Sequence, residues 1–195
     1  MKPMMSIVIP VYNGSNYMRE AIDSALDQTY ENVEVLVVND GSTDGGATEK
    51  IALSYGNQIR YFSKKNGGVA TALNLGIKEM RGEYFSWLSH DDLYAPEKLS
   101  AQWEALCSRG NPRKIVCGGY SFMDMDTGRT EPMRLLYPAQ KLEDSVFQVM
   151  YGLINGCSLL IHRSHFERVG LFDETLRTAQ DYDLWFRMFR GEELV

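Results

Sequence analysis

The first half of the chain alternates short apolar runs with segments in which apolar residues recur every three or four positions. Continuous apolar runs bounded by turn residues are typical of strands that are buried on both faces. They predict strands at 6–11, 33–38, 59–62 and 84–88. Helical spacing predicts helices at 18–26, 48–55, 69–80 and 96–108. This alternation favours an α/β fold with a mostly parallel central sheet flanked by helices.

The second half of the chain has a different pattern, which begins after residues 111–114. A strand is predicted at 115–123, a tight turn at 126–128 with a strand returning after it, and a further strand at 156–161. A helix at 164–169 ends at Gly170. Two more helices are predicted, a short one carrying Val146, Val149, Met150 and Leu153, and a last one with Tyr182, Trp185, Phe186 and Phe189 on its inner face. These features predict a smaller antiparallel portion of the same domain.

The composition is that of a single soluble globular domain. Of 195 residues, 44% are hydrophobic, and 26 acidic residues against 20 basic ones give a formal net charge of −6. A chain with this charge has no electrostatic attraction to nucleic acid or to an anionic membrane surface. No apolar run approaches the roughly 18 residues of a membrane span. A cytoplasmic location is expected, at the inner face of the membrane if a missing C-terminal part carries an anchor.

The cysteines and histidines indicate neither a disulfide framework nor a zinc site. Cys107, Cys117 and Cys157 lie far apart and are odd in number, so they are expected to be reduced and mostly buried. His162 and His165 have the spacing of a weak metal site, but no cysteine or carboxylate pattern accompanies them.

Polar residues follow directly after the predicted strands. Tyr12 and Asn13 follow the first strand, Asp40 the second, residues 66–68 the third, and Asp91 with Asp92 the fourth. Ligands of open α/β sheets gather at the carboxyl ends of the strands, so these loops are expected to share one rim. Adjacent carboxylates repel each other, and a divalent cation would offset the repulsion. The alternative is that Asp91 and Asp92 are solvated turn residues that cap the next helix.

Six separate motifs follow one another along the chain, at 6–13, 37–44, 66–76, 88–92, 172–174 and 180–185. Together they resemble the family 2 glycosyltransferases. The resemblance implies an inverting enzyme of GT-A fold that moves a sugar from a nucleoside diphosphate to a glycan, lipid-linked or other hydroxyl acceptor, as in polysaccharide or cell wall biosynthesis. It implies a nucleotide-sugar-binding half at 1–110 and an acceptor-binding, catalytic-base half at 111–195. The chain stops soon after its last helix, so a longer parent protein is expected.

The resemblance assigns one set of residues to the sugar donor. Pro10, Tyr12 and Asn13 would line the base and ribose pocket, and Asp40 would accept a hydrogen bond from the base, typically uracil. Asn66, Gly67 and Gly68 would let the backbone approach the diphosphate. Ser89, His90 and Asp92 complete the implied donor site. Two alternatives stay open, an Asx-turn role for Asp40 and a water-facing His90.

The resemblance also assigns a metal ligand, a base and acceptor residues. Asp91 would bind Mn²⁺ or Mg²⁺ against the diphosphate, although Ser89 replaces the first aspartate of the family's Asp-X-Asp motif. Asp181 would be the catalytic base that takes the proton from the acceptor hydroxyl, with Gln180 in place of the usual glutamate. Asp183 is the second candidate, and both aspartates also suit a helix N-terminus. Gly156, Cys157 and Ser158 would lie near the acceptor.

Other classes of protein compete with an active enzyme. Ser89, Gln180 and Leu73, which stands where the family commonly has an arginine, would also fit a module of the same fold that binds a nucleotide-sugar without turnover. A phospho-accepting signalling domain also uses paired aspartates and Mg²⁺, but its acid pair should follow the first strand, which here ends in Tyr12 and Asn13. A processive polysaccharide synthase would need membrane spans and a Gln-X-X-Arg-Trp motif, and this chain has neither. An active glycosyltransferase is therefore the leading hypothesis.

Overall fold

The strands form one mixed sheet and one small hairpin. The computed structural model describes residues 2–124, 126–133, 145–151, 154–192 and 194–195. Strands in this part of the chain are β1 (Met5–Val11), β2 (Val33–Asn39), β3 (Arg60–Ser63), β4 (Tyr84–Trp87), β5 (Val116–Cys117), β6 (Ser121–Met123), β7 (Thr130–Pro132) and β8 (Leu159–His162). The six-stranded sheet has the order β3-β2-β1-β4-β8-β5, and β6 pairs with β7.

The sheet is parallel where the sequence alternates strands and helices, and antiparallel where the pattern changes. β1 pairs in parallel with both β2 and β4, and β2 pairs in parallel with β3. β8 runs antiparallel to β4 and to β5. The predicted α/β class, with a mostly parallel sheet and a smaller antiparallel portion, is confirmed.

Helices cover both faces of this sheet. They are α1 (Met18–Leu26), α2 (Ala47–Leu53), α3 (Val69–Glu79), α4 (Lys98–Ser108), α5 (Ser145–Met150), α6 (Ser164–Val169) and α7 (Gln180–Phe189), with 3₁₀ turns at Gly56–Gln58 and Gly156–Ser158. Successive strand residues point to opposite faces, so Ile7 and Ile9 of β1 join a core with α1, while Val8 joins a second core with Leu73 and Trp185. Burial on both faces explains why β1 is a continuous apolar run.

No helix in the described part of the chain has the length and hydropathy that crossing a bilayer requires. The parallel strands β1 to β4 place the loops that follow them at one edge of the sheet.

Three local predictions from the sequence are wrong. The strand predicted at 115–123 is broken into β5 and β6, because β5 pairs with β8, which begins only after a 3₁₀ turn, whereas β6 pairs with β7. The strand predicted at 156–161 starts only at Leu159, after a 3₁₀ turn. Phe186, placed on the inner face of the last helix, is 42% exposed, because Leu184, Trp185, Met188 and Phe189 form that face.

The cysteines are free but less buried than expected. Cys107 is exposed, and Cys117 and Cys157 are partly exposed. Leu153, assigned to the short helix, lies outside the described residues. Cys157 sits in the 3₁₀ turn before β8, at the edge of the site described next.

Candidate active site

Two clefts open at the carboxyl ends of the strands and meet at Ser89. The Tyr12 cleft has a volume of about 230 Å³ and is lined by Pro10, Val11, Tyr12, Asp40, Val69, Ala72, Ser89, His90 and Asp91. The Asp181 cleft has a volume of about 320 Å³ and is lined by Trp87, Ser89, Asp92, Tyr120, Ile154, Asn155, Gly156, Cys157, Asp181 and Tyr182. The structure therefore gathers residues from β1, β2, β4 and α7 at one rim, as the sequence predicts for an open α/β sheet.

Asp40 is buried directly after β2 and accepts hydrogen bonds from the loop that follows β3. Its Oδ1 accepts hydrogen bonds from Lys64 Nζ at 2.5 Å and from the Gly67 N–H at 3.0 Å. Its Oδ2 accepts one from the Gly68 N–H at 2.7 Å. Because both glycine N–H groups point at Asp40, residues 66–68 form the wall behind the carboxylate and do not line the Tyr12 cleft. Oδ2 accepts one short hydrogen bond, so it can accept another from a bound ligand.

The loop after β1 is fastened to the loop after β2. The Asn13 N–H donates to Ser42 Oγ at 2.9 Å, and Asn13 Oδ1 accepts from the Thr43 N–H at 2.7 Å. Asn13 itself has a φ of 52° and does not line the Tyr12 cleft. These bonds hold Tyr12 at the mouth of the cleft with its side chain 45% exposed. A planar ligand group could stack on that ring.

The segment after β4 sends its two carboxylates to different clefts. Asp91, with a side chain 58% exposed, lines the Tyr12 cleft, and its Oδ1 lies 4.0 Å from His90 Nδ1. Asp92 lines the Asp181 cleft. Desolvation of the Asp92 carboxyl raises its pKa, while a hydrogen bond from Cys157 opposes that rise. The two adjacent carboxylates therefore line different clefts.

A metal in this site would draw few ligands from the protein. Within the described ranges, no three His, Cys, Asp or Glu side chains converge as a metal cage. His165 Nε2 lies 2.6 Å from the carbonyl oxygen of Arg113 and His162 Nδ1 lies 2.8 Å from Ser164 Oγ, so both histidines have other partners. The exposed Asp91 fits the mode in which Mg²⁺ or Mn²⁺ is held by one or two carboxylates together with phosphates of the ligand.

The start of α7 presents two aspartates with different surroundings. Asp183 Oδ2 accepts hydrogen bonds from Arg187 Nη2 at 2.7 Å and Nε at 3.0 Å. Arg187 also donates to the carbonyl oxygens of Val169 and Leu171. Asp181 is half-buried in its cleft, and its carboxylate has no hydrogen bond or ion pair with any other described residue. Asp181 is therefore the carboxylate available to accept a proton, whereas Asp183 serves to fasten α7.

The three residues predicted near the acceptor have two different positions. Gly156 and Cys157 line the Asp181 cleft, while Ser158 is buried beneath it and donates to the carbonyl oxygen of Asn155 at 2.7 Å. Burial raises the pKa of Cys157 to about 12, so its thiol stays protonated and is a poor nucleophile at neutral pH. It donates a weak hydrogen bond to Ser89 Oγ at 3.6 Å.

Sequence reasoning missed several residues of the site. Thr71 lies beside Asp40, and Trp87, Tyr120 and Tyr182 line the Asp181 cleft. Trp87 and Tyr182 could have been found from the sequence, because Trp87 ends β4 and Tyr182 directly follows Asp181. Tyr120 could not have been found in this way, because it lies between β5 and β6, in a segment that the sequence predicts as one strand. Leu73 and Gln180 are buried, so neither replacement reaches the lining of the two clefts.

Comparison with known proteins identifies relatives of this chain. The sequence model described as Glycosyl transferase family 2 matches residues 6–170. An uncharacterized glycosyltransferase of Rickettsia felis is 55% identical over 190 residues, which are 96% of this chain and 32% of that protein. This chain thus spans about a third of the length of that relative.

Solved structures match the fold. S. aureus TarS 1–349 in complex with UDP-GlcNAc has a TM-score of 0.76 and 21% identity, covering 98% of this chain and 56% of that one. The mannosyltransferase PcManGT from Pyrobaculum calidifontis, in complex with GDP-Man and Mn²⁺, has a TM-score of 0.70 and 20% identity, covering 100% of this chain and 55% of that one. At these identities the matches establish the fold. Together with the family match, they confirm the resemblance drawn from the six motifs.

Proposed function

Because this chain belongs to glycosyl transferase family 2, we propose that it moves a sugar from a UDP-sugar to an acceptor hydroxyl with inversion at the anomeric carbon. The observation that carries this proposal is the Asp181 carboxylate, which has no hydrogen-bond or ion-pair partner among the described residues and lies in a cleft that meets the Tyr12 cleft at Ser89. A donor in one cleft and an acceptor in the other would then meet beside a base. The TarS complex with UDP-GlcNAc supports a UDP-sugar as the donor.

The Tyr12 cleft would hold the nucleotide. The exposed Tyr12 ring offers a stacking surface for a base, and Asp40 Oδ2 has the capacity to accept one base N–H. Pro10 closes the cleft wall, and Ser89 would donate to the ribose. In this proposal residues 1–110 form the donor half and residues 111–195 supply the base and the acceptor side.

Asp91 would hold Mn²⁺ or Mg²⁺ at the junction of the clefts. Its exposed carboxylate points into the Tyr12 cleft, where the diphosphate of a donor would supply further oxygen ligands. Such a metal neutralises charge on the departing nucleoside diphosphate. The PcManGT complex with GDP-Man and Mn²⁺ supports this use of a cation.

Asp181 would take the proton from the acceptor hydroxyl as that oxygen attacks the anomeric carbon. Inversion requires one base and no covalent intermediate, so a single free carboxylate is sufficient. Asp183 is less available for this role, because its Oδ2 already accepts two hydrogen bonds from Arg187.

The test compares Asp181→Asn with Asp183→Asn, a matched pair on the same helix. UDP release from UDP-GlcNAc, UDP-glucose and UDP-galactose is measured with a panel of glycoside acceptors, and UDP binding is measured by calorimetry. We expect Asp181→Asn to lower the transfer rate by about 10²–10⁴-fold with unchanged UDP affinity. Asp183→Asn should keep the rate per folded molecule within a few-fold. A wild-type rate in Asp181→Asn would exclude this residue as the base.

A module that binds nucleotide-sugar without turnover is the second candidate, favoured by Ser89 at the place where the family has a carboxylate. The same measurements separate the two functions. UDP affinity without UDP release from any donor and acceptor pair would support the binding module.

A further inference from the structure

The Asp181 cleft combines aromatic rings with acidic charge. Trp87, Tyr120 and Tyr182 contribute rings to its lining, and Asp92 and Asp181 contribute carboxylates. Within the described ranges, no lysine or arginine lines this cleft. A cleft with this character attracts neutral or cationic groups and disfavours phosphates and carboxylates, because like charges that are brought together lose affinity.

The Tyr120 ring is partly exposed and contacts a neighbouring ring. It packs edge to face against Phe122, with ring centroids 5.6 Å apart and an interplanar angle of 81°. It also lies close enough to Tyr182 for the two phenols to interact electrostatically, and Tyr182 interacts in the same way with Asp181. Tyr120, Tyr182 and Asp181 therefore lie close together in the lining of this cleft.

Trp87 is tightly packed in the lining of the same cleft. Trp87 packs edge to face against Phe172, with centroids 6.3 Å apart. The absence of a side chain at Gly156 is what makes room for the indole, because a Cβ there would lie 2.4 Å from Trp87 Cε3. A molecule entering this cleft would thus meet a partly exposed tyrosine ring and a tightly packed indole in its lining.

We propose that Tyr120 is a specificity-determining residue on which the ring of a neutral sugar stacks, so that the acceptor of this enzyme is an uncharged glycan. The C–H face of a pyranose is apolar and packs on an aromatic ring, while its hydroxyls hydrogen-bond to groups at the edge of the cleft. A sugar stacked on Tyr120 would place one hydroxyl toward Asp181. This inference rests on the proposed function and adds the class of acceptor.

The test measures binding of neutral trisaccharides built from glucose, galactose, mannose or N-acetylglucosamine, by saturation-transfer NMR and titration of intrinsic fluorescence. The protein is saturated with UDP and Mn²⁺ beforehand. We expect Tyr120→Ala to weaken binding of the preferred trisaccharide at least tenfold and Tyr120→Phe to keep it within threefold. Tyr17→Ala, which removes an exposed tyrosine at the start of α1, is the control and should leave binding unchanged. N-acetylglucosamine 1-phosphate should bind at least fivefold more weakly than its neutral methyl glycoside.

The outcomes separate this inference from the proposed function. If UDP does not bind the wild-type protein, the proposed function fails. If UDP binds and donor is hydrolysed, but no trisaccharide binds or Tyr120→Ala has no effect, only the inference is overturned. Preference for the phosphorylated sugar also overturns it. A loss of UDP-GlcNAc affinity in Tyr120→Ala, with trisaccharide affinity retained, would place the ring under the donor sugar and overturn it as well.

Discussion

At the scale of single residues, Gly156 shapes the Asp181 cleft by what it lacks. Adding a Cβ at Gly156 would bring it to 2.4 and 2.5 Å from two carbons of the Trp87 ring, and Phe172 blocks the ring from moving away freely. We expect Gly156→Ala to lower the free energy of unfolding by about 1–3 kcal/mol, measured by urea denaturation. Gly119→Ala is the control and should be near neutral, because nothing lies within 4 Å of its Cβ. Equal stabilities of the two variants would contradict this account.

Ala179 holds a strained backbone just before the proposed base. Its φ of 58° and ψ of 21° lie in the left-handed region, where a Cβ is unfavourable. We expect Ala179→Gly to raise the free energy of unfolding by up to about 1 kcal/mol. Ala101→Gly, within the exposed face of α4, should lower it by about 1 kcal/mol. The two alanine-to-glycine changes should thus shift the Tm in opposite directions. A loss of stability in Ala179→Gly would show that residue 179 is not strained.

At the scale of elements, a buried polar network joins α4 to the floor of the Asp181 cleft. Lys98 Nζ donates to Ser86 Oγ and to Gln102 Oε1, each at 3.0 Å. Gln102 Nε2 donates in turn to the carbonyl oxygen of Ser158 at 2.8 Å, and Ser158 bonds to Asn155 in the cleft lining. The network therefore links a helix, a central strand and the turn that carries Cys157.

Lys98 makes the free energy of unfolding depend on pH. Burial lowers the pKa of Lys98 from 10.5 to about 7, although the nearby Cys157 and Cys117 would raise it if they were ionised. Between about pH 7 and 10.5 the unfolded chain holds a proton on Lys98 that the folded chain lacks, so this residue makes stability rise with pH in that window.

We therefore expect Lys98→Met to gain most over the wild type near pH 7 and to lose that advantage as pH rises to 10. The free energy of unfolding is measured in urea at several pH values. Lys78→Met removes an exposed lysine of α3 and should show no such trend. A constant difference between Lys98→Met and the wild type would mean that Lys98 does not titrate differently in the two states.

The regular elements of the first half could be predicted from the sequence because each buried strand is a continuous apolar run. β1 and the inner face of α1 follow directly from Met5–Val11 and from the spacing of Met18, Ala21, Ile22 and Ala25. α7 is harder to predict, because its aromatic residues occupy more than one face, and only packing against α5 and α6 decides that Trp185 is buried and Phe186 exposed. The prediction of one strand at 115–123 was wrong because its two ends pair with different strands, β8 and β7, and the sequence does not show this change of partner.

The sequence was sufficient to predict which loops converge at the site, but not the contacts within it. Strand ends mark Tyr12, Asp40, Asp91 and Asp92 in the sequence, and all four lie at the two clefts. Nothing in the sequence shows that adjacent Asp91 and Asp92 face different clefts, since that depends on the turn after β4. The contact of Lys64 with Asp40, 24 residues away, likewise exists only after β2 and β3 pair.

At the scale of the whole molecule, ligand binding should couple the two clefts to global stability. UDP with Mn²⁺, at about a hundredfold excess over its Kd, should stabilise the fold by about 2.7 kcal/mol. For a domain of this size that corresponds to a rise in Tm of about 5–10 °C. Part of the rise should depend on the metal, because Asp91 offers the carboxylate next to the diphosphate position.

Asp91→Asn should abolish the metal-dependent part of that rise and leave the part due to UDP alone. An amide lacks the charge that a divalent cation requires, while Tyr12 and Asp40 remain in place to bind the nucleotide. Thermal unfolding is measured with UDP, with and without Mn²⁺, in the wild type, in Asp91→Asn and in Asp126→Asn, an exposed aspartate in the turn between β6 and β7. The wild type and Asp126→Asn should show the same increment on addition of Mn²⁺. If Asp91→Asn keeps that increment, the cation is held elsewhere and the division of Asp91 and Asp92 between the two clefts has no part in metal binding.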